Sequence, residues 1–141
     1  MKSHASALVR TSKIFLEGLS MAAVTEVHFN DGLQVIGERA FQYCTALEQV
    51  AIPSSVTKLG NHAFQGCNLA EVQLHEGLQV IGERAFDDCA ALQQVTIPSS
   101  VTKFRYGAFH GCVNLAEVQF GDGLLAIGEL PQFVNARHCE V

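Results

Sequence analysis

Gly121-Asp122-Gly123-Leu124-Leu125-Ala126 fits the loose pattern G-x-G-x-x-G/A, with which a strand-to-helix turn cradles a pyrophosphate. That chemistry needs a strand, a tight turn and a helix whose N-terminal N–H groups face the phosphate. Pro131 leaves no room for a long helix, and Asp122-Gly123 reads as a turn of the same kind as Asp31-Gly32, so no nucleotide cofactor is expected. His110-Gly111-Cys112 and His138-Cys139 set metal-ligating residue types side by side. A tetrahedral site draws on four converging ligands, usually as two close pairs, and neither pair has a second half, so no metal is expected. Ser54, Ser55, Ser99 and Ser100 follow prolines, with no nucleophile elbow and no placed histidine and acid. They read as turn formers, and the chain is expected not to be an enzyme.

The cysteines lead from chemistry to organisation. Cys44, Cys67, Cys89 and Cys112 each stand three residues after a phenylalanine: Phe41, Phe64, Phe86 and Phe109. One spacing used four times is a packing position, not a disulfide framework with its varied spacings. Buried thiols behave as small hydrophobes, and reduced cysteines lean toward a reducing compartment. Cys139 falls outside the pattern and is expected to be the one readily labelled thiol.

The elements that would position these residues are repeats. Leu33 to Ser55, LQVIGERAFQYCTALEQVAIPSS, returns from Leu78 to Ser100 as LQVIGERAFDDCAALQQVTIPSS. Looser copies run from Val56 to Gly77 and from Val101 to Gly123, which suggests duplication of a two-rung block of about 45 residues. Val27, Val50, Val72, Val95 and Val118 are separated by 23, 22, 23 and 23 residues. A period of this length is the mark of a stacked solenoid. Each rung has an apolar alternation of strand type around its landmark valine, such as Leu47-x-x-Val50-x-Ile52. The strands end at Pro53-Ser54-Ser55 and Pro98-Ser99-Ser100 in odd rungs, and at Asp31-Gly32, Glu76-Gly77 and Asp122-Gly123 in even ones. Ile36, Ala40, Phe41, Cys44 and Leu47 share one helical face and predict a helical turn or two. The expected fold is an α/β repeat, a short right-handed solenoid of about five rungs with one parallel sheet. Residues 24–129 form it; residues 1–23, with a short helix over Ser12 to Ala23, and residues 130–141 are caps or tails.

The series Ile36-Gly37, Ala40-Phe41, Cys44, Leu47, Val50, Ile52-Pro53, repeated as Ile81-Gly82, Ala85-Phe86, Cys89, Leu92, Val95, Ile97-Pro98, resembles the BspA-type leucine-rich repeat family. Ser55 stands where the commoner leucine-rich repeat has asparagine or cysteine, so an asparagine ladder is expected to be absent. The resemblance implies a recognition or adhesion role at a cell surface. Against export, the N-terminus has no apolar run of signal-peptide length and the chain has no N-glycosylation sequon, which leans toward an intracellular place.

Charge narrows the partners. A net charge of −5, with nine scattered Lys and Arg, is not a nucleic-acid footprint, and no run approaches a membrane span. One residue before each landmark valine the chain places Glu26, Gln49, Glu71, Gln94 and Glu117. Alternating acid with amide keeps like charges apart by roughly 10 Å, two strand spacings, which suits either solubility or a weakly acidic ligand groove. The rung that breaks the pattern has Phe104-Arg105-Tyr106 where others have Ile-Gly or Leu-Gly. Arg and Tyr are favoured interface residues, so Arg105 and Tyr106, with Tyr43 and His110 if they share a side, are candidate contacts for a protein partner. The expected function is a non-catalytic protein-interaction module; the alternative is a structural spacer or a fragment of a larger surface or adhesion protein.

Overall fold

The computed structural model describes residues 5–9 and 21–121. Ten short strands follow one another: β1 (Ala5–Val9), β2 (Val24–Phe29), β3 (Val35–Ile36), β4 (Gln49–Ala51), β5 (Lys58–Leu59), β6 (Glu71–Gln73), β7 (Val80–Ile81), β8 (Gln94–Ile97), β9 (Lys103–Phe104) and β10 (Glu117–Phe120). Among the described residues every pairing is parallel. The even-numbered strands carry the landmark valines, and the strands from β3 onward with odd numbers form a second stack, β3-β5-β7-β9. The chain is thus a solenoid, and the five expected valine strands are present. Of the N-terminal helix expected over residues 12–23, only Met21–Ala23 is described, as one 3₁₀ turn. The expected caps at 1–23 and 130–141 fall largely or wholly outside the described residues.

The valine face departs from a single sheet. Its ladders are two-stranded, β1-β2, β4-β6 and β8-β10. The paired strands β4-β6 and β8-β10 each join an odd rung to the following even one, the two-rung unit that the sequence duplicates. Turn chemistry alternates with the same period, Pro-Ser-Ser after β4 and β8 and Glu-Gly after β6. The two kinds of step therefore leave their strands with different backbone geometry.

The largest correction concerns the return segment, which is not helical. Among the described residues there is no α-helix. Between β3 and β4 the chain makes successive tight turns: Ala40 N–H to Gly37 O, Gln42 N–H to Arg39 O, Cys44 N–H to Phe41 O and Leu47 N–H to Cys44 O. The alternate N–H groups leave the rung, Arg39 bonding Asn61 O, Phe41 bonding Ala63 O and Tyr43 bonding Gln65 O. Left-handed backbone at Arg39 (φ 55°) and Tyr43 (φ 59°) makes this alternation, and a continuous helix would have kept those donors inside itself. His62, Gly66, Arg84, Asp88, Gly107 and Gly111 repeat the conformation on later rungs. The spacing of Phe41, Cys44 and Leu47 satisfies one buried face either way, because a chain of turns also brings every third or fourth residue inward.

That face builds the core. Phe41, Phe64, Phe86 and Phe109 are wholly buried and stack nearly parallel, with centroids 5.0, 5.4 and 5.1 Å apart. The column is longer than four rings, for Phe29 meets Phe41 edge-on and Phe104 lies against Phe109. Beside it runs the expected column of free, buried thiols. Cys67 donates to Phe41 O, Cys89 to Phe64 O and Cys112 to Phe86 O, so each thiol is tied to the rung before it. The hydrogen bond that Cys67 shares with Cys44, and then burial, push the Cys67 thiol far up. Cys112 and burial do the same to Cys89. All four repeat thiols are buried, so in the native protein a reagent should reach them only as fast as the rungs open. A thiol reagent that modified all four before unfolding would contradict the column; Cys139 lies outside the described residues.

Among the described residues no asparagine ladder forms, and serine takes its place. Ser55 Oγ donates to Leu33 O at 2.7 Å and Ser100 Oγ to Leu78 O at 2.6 Å, each across one rung. Glu76 caps the second serine turn, accepting from Ser99 N–H, Ser99 Oγ and Ser100 N–H. The Ser99 hydroxyl, then its backbone N–H, hold this carboxyl below the usual glutamate value. A lowered folded-state pKa adds stability above the unfolded value, and that stability is lost as pH falls through the folded one. Glu76→Gln should therefore be less stable than the parent at neutral pH, and the gap should close in melts run at increasingly acid pH. A gap unchanged by acid would show that the carboxylate does not cap the turn.

Candidate functional site

The candidate residues sit on two different faces of the solenoid. Glu26, Glu71 and Glu117 are exposed on β2, β6 and β10, and in register Glu71 faces Gln49 and Glu117 faces Gln94. Each carboxylate is already engaged along its own strand, Glu26 by His28 at 3.0 Å, Glu71 by Gln73 at 3.2 Å and Glu117 by Gln119. Among the described residues this face carries no Lys or Arg. Its chemistry is an acid–amide ribbon.

Arg105 and Tyr106 lie at the corner where β9 enters the turn stack. The repeat places glycine at this corner for a steric reason. A Cβ on Gly60 would stand 2.6 Å from Glu38 N, and one on Gly82 would stand 2.6 Å from Gly60 C. Corner follows corner too closely for a side chain, and the linking bonds are short: Gly60 N–H to Ile36 O at 2.7 Å and Gly82 N–H to Leu59 O at 2.9 Å. At Arg105 the corresponding bond, to Ile81 O, is 3.1 Å, so the last step is the widest of the three. Phe104 is only half-buried where Ile36, Leu59 and Ile81 are buried. Arg105 is exposed and Tyr106 is 58% exposed, so this corner offers solvent a guanidinium and a phenol from consecutive residues.

The other two candidates behave differently. Tyr43 is also exposed, but its ring lies over Gly66 of the next rung, where a Cβ would come within 2.4 Å of Cδ1. It is three rungs from Tyr106, roughly 14 Å of solenoid rise at strand spacing, so the structure does not join it to Arg105 and Tyr106. His110 belongs to the same turn as Tyr106, yet its Nδ1 lies 3.0 Å from Asp87 Oδ1 of the rung before. His110 and Cys112 do not form a pair, because Cys112 is buried in the thiol column.

Asp87 was missed by reading the sequence, and it belongs to a ladder. The residue after each column phenylalanine is polar: Gln42, Gln65, Asp87 and His110. Gln42 Nε2 donates to Gln65 Oε1 at 2.7 Å, Gln65 Nε2 donates to Asp87 Oδ2 at 3.0 Å, and Asp87 Oδ1 meets His110. His62 Nδ1 joins at Gln65 Oε1. Asp87 is thereby satisfied although it is the one buried charged residue among those described. The recurring polar residue after phenylalanine was the available signal.

No described helix is long and apolar enough to cross a membrane. No curated protein matches the chain. Among solved structures, it is similar to a leucine-rich repeat protein from Bacteroides capillosus, with 40% identity and a TM-score of 0.58 over 62% of this chain and 63% of that one. It is similar to the pneumococcal vaccine antigen PcpA, with 25% identity and a TM-score of 0.62 over 72% of this chain and 26% of that one. A leucine-rich repeat protein from Eubacterium ventriosum shares the fold at 22% identity and a TM-score of 0.58, over 74% of this chain and 34% of that one. The chain thus spans less than two thirds of the length of each. The family description "BspA type leucine rich repeat region" matches residues 14–135 in six copies. With its phenylalanine and cysteine columns, glycine corners and parallel rungs, the chain belongs to the BspA-type leucine-rich repeat family.

Proposed function

We propose that the chain is a non-catalytic protein-interaction module that meets a protein partner at Arg105 and Tyr106. The observation that carries this reading is the exposed Arg-Tyr pair at a corner where the repeat otherwise puts a bare glycine. Arg and Tyr are residue types that often dominate binding energy, and here their backbone is tied to the rung before, Arg105 N–H to Ile81 O and Arg84 N–H to Tyr106 O. The acidic balance of the chain favours protein over nucleic acid as partner. Family membership supports an interaction role and no catalytic one.

The full chain used as bait should capture a saturable partner, and Arg105→Ala/Tyr106→Ala should weaken that capture at least about tenfold, the loss of one or two interface hot spots. Equal capture by the double variant would sink the assignment of the patch. A second reading has its own support, since the chain spans from 26% to 63% of the solved relatives' lengths. On that reading it is a spacer, a segment of a longer surface array with no ligand of its own, and no saturable partner would be found.

A further inference from the structure

The duplicated blocks offer an internal comparison. Where the first has Gln42, Tyr43 and Gln65, the second has Asp87, Asp88 and His110. Two amides and a phenol are replaced by two carboxylates and an imidazole, and the stacked turns bring these together. One ligating atom from each of Asp87, Asp88 and His110 lies within 4.8 Å of the other two. Asp87 is 5% exposed, with Oδ2 fixed by Gln65 Nε2 and Oδ1 3.0 Å from His110 Nδ1. Asp88 is exposed, and its Oδ1 occupies the space beside Gly111 where a Cβ would stand only 2.2 Å away. The glycine next to His110 therefore makes room for the second carboxylate.

We propose that Asp87, Asp88 and His110 form a binding site for a divalent transition-metal ion, with zinc as the representative. Ligands at about 2.0–2.2 Å from a tetrahedral ion stand roughly 3.4 Å from their neighbours, so the Asp87–His110 pair, at 3.0 Å, has only to open by a few tenths of an ångström. The half-exposed His110 and exposed Asp88 close on the ion from the solvent side by side-chain rotation. Imidazole with two carboxylates selects zinc-like ions over calcium and magnesium, which prefer shells made wholly of oxygen. Three protein ligands leave the remaining position to water. Gln65 is the outer partner that orients the buried ligand, as supporting hydrogen bonds do around metal centres. The first block, with Gln42, Tyr43 and Gln65, lacks the donor set.

The test is titration of the full chain with zinc chloride in a calorimeter, in a His138→Ala/Cys139→Ser background that removes the donors near the C-terminal end. One equivalent should bind, and cobalt(II) in its place should give weak visible bands without thiolate charge-transfer absorption. Asp88→Asn should weaken zinc at least about tenfold, the scale of losing a metal-site partner. Asparagine tolerates the left-handed backbone at this position, so circular dichroism and melting should be unchanged without metal. His110→Gln should weaken zinc as well. Absence of stoichiometric binding, thiolate bands with cobalt, or undiminished affinity in Asp88→Asn would each overturn the site.

Discussion

Phe64→Ala should cost about 3–5 kcal/mol, the range for emptying a large, fully enclosed core position. Its ring has a parallel neighbour on each side, Phe41 at 5.0 Å and Phe86 at 5.4 Å, so truncation removes two stacking contacts as well as buried area. Phe86 is placed the same way. Phe41 and Phe109 each have one close parallel partner from the column and one less regular ring, Phe29 or Phe104. In a solenoid every rung is held by its neighbours, so the inner two losses should exceed the outer two. Urea melts of the four alanine variants measure this directly. Equal losses below a kilocalorie would mean that the rings do not form one column.

Gly82→Ala should be nearly as damaging, for the opposite reason. The added Cβ would meet Gly60 C at 2.6 Å, Asn61 N at 2.7 Å and Leu59 O at 2.7 Å, all of them backbone. No side chain can swing aside, so the rungs must part and stretch the Gly82 N–H to Leu59 O bond. Overpacking costs typically about 1–3 kcal/mol, and a clash with three backbone atoms of the rung before belongs at the upper end. Arg105→Ala occupies the equivalent corner, where the step is already wider, and should change stability by no more than about 0.5 kcal/mol, as exposed substitutions do. Parallel denaturation of the two variants decides the point. Similar stabilities would remove the steric account of the glycine corners.

What could be read from the sequence was whatever repeats in residue type. Phenylalanine and cysteine return with the rung period, and the two columns follow from that alone. The valine strands, the serine turns and the broken corner at Arg105 were legible for the same reason. The helical return was not, because the left-handed positions of the odd rungs are occupied by Arg39, Tyr43 and Arg84, which signal no such backbone, with Asp88 the one residue of a type that visits it. Gly66, Gly107 and Gly111 stand at the matching positions of the even rungs, and comparing copies column by column would have exposed the turns. The meeting of Asp87 with His110 was hidden by distance, since 23 residues separate partners that the stacking brings to 3.0 Å. Reading His110 only against its sequence neighbour Cys112 paired it with a residue on the other side of the backbone.

The interaction reading rests on which face the partner covers. Hydrogen–deuterium exchange of the full chain, with and without the captured partner, reports this face by face. Protection is predicted over residues 104–110, where Arg105 and Tyr106 project, with the strands Gln94–Ile97 and Glu117–Phe120 little changed. Protection confined to those two strands, leaving 104–110 as exposed as in the free protein, would contradict the account and return the acid–amide ribbon as the binding face.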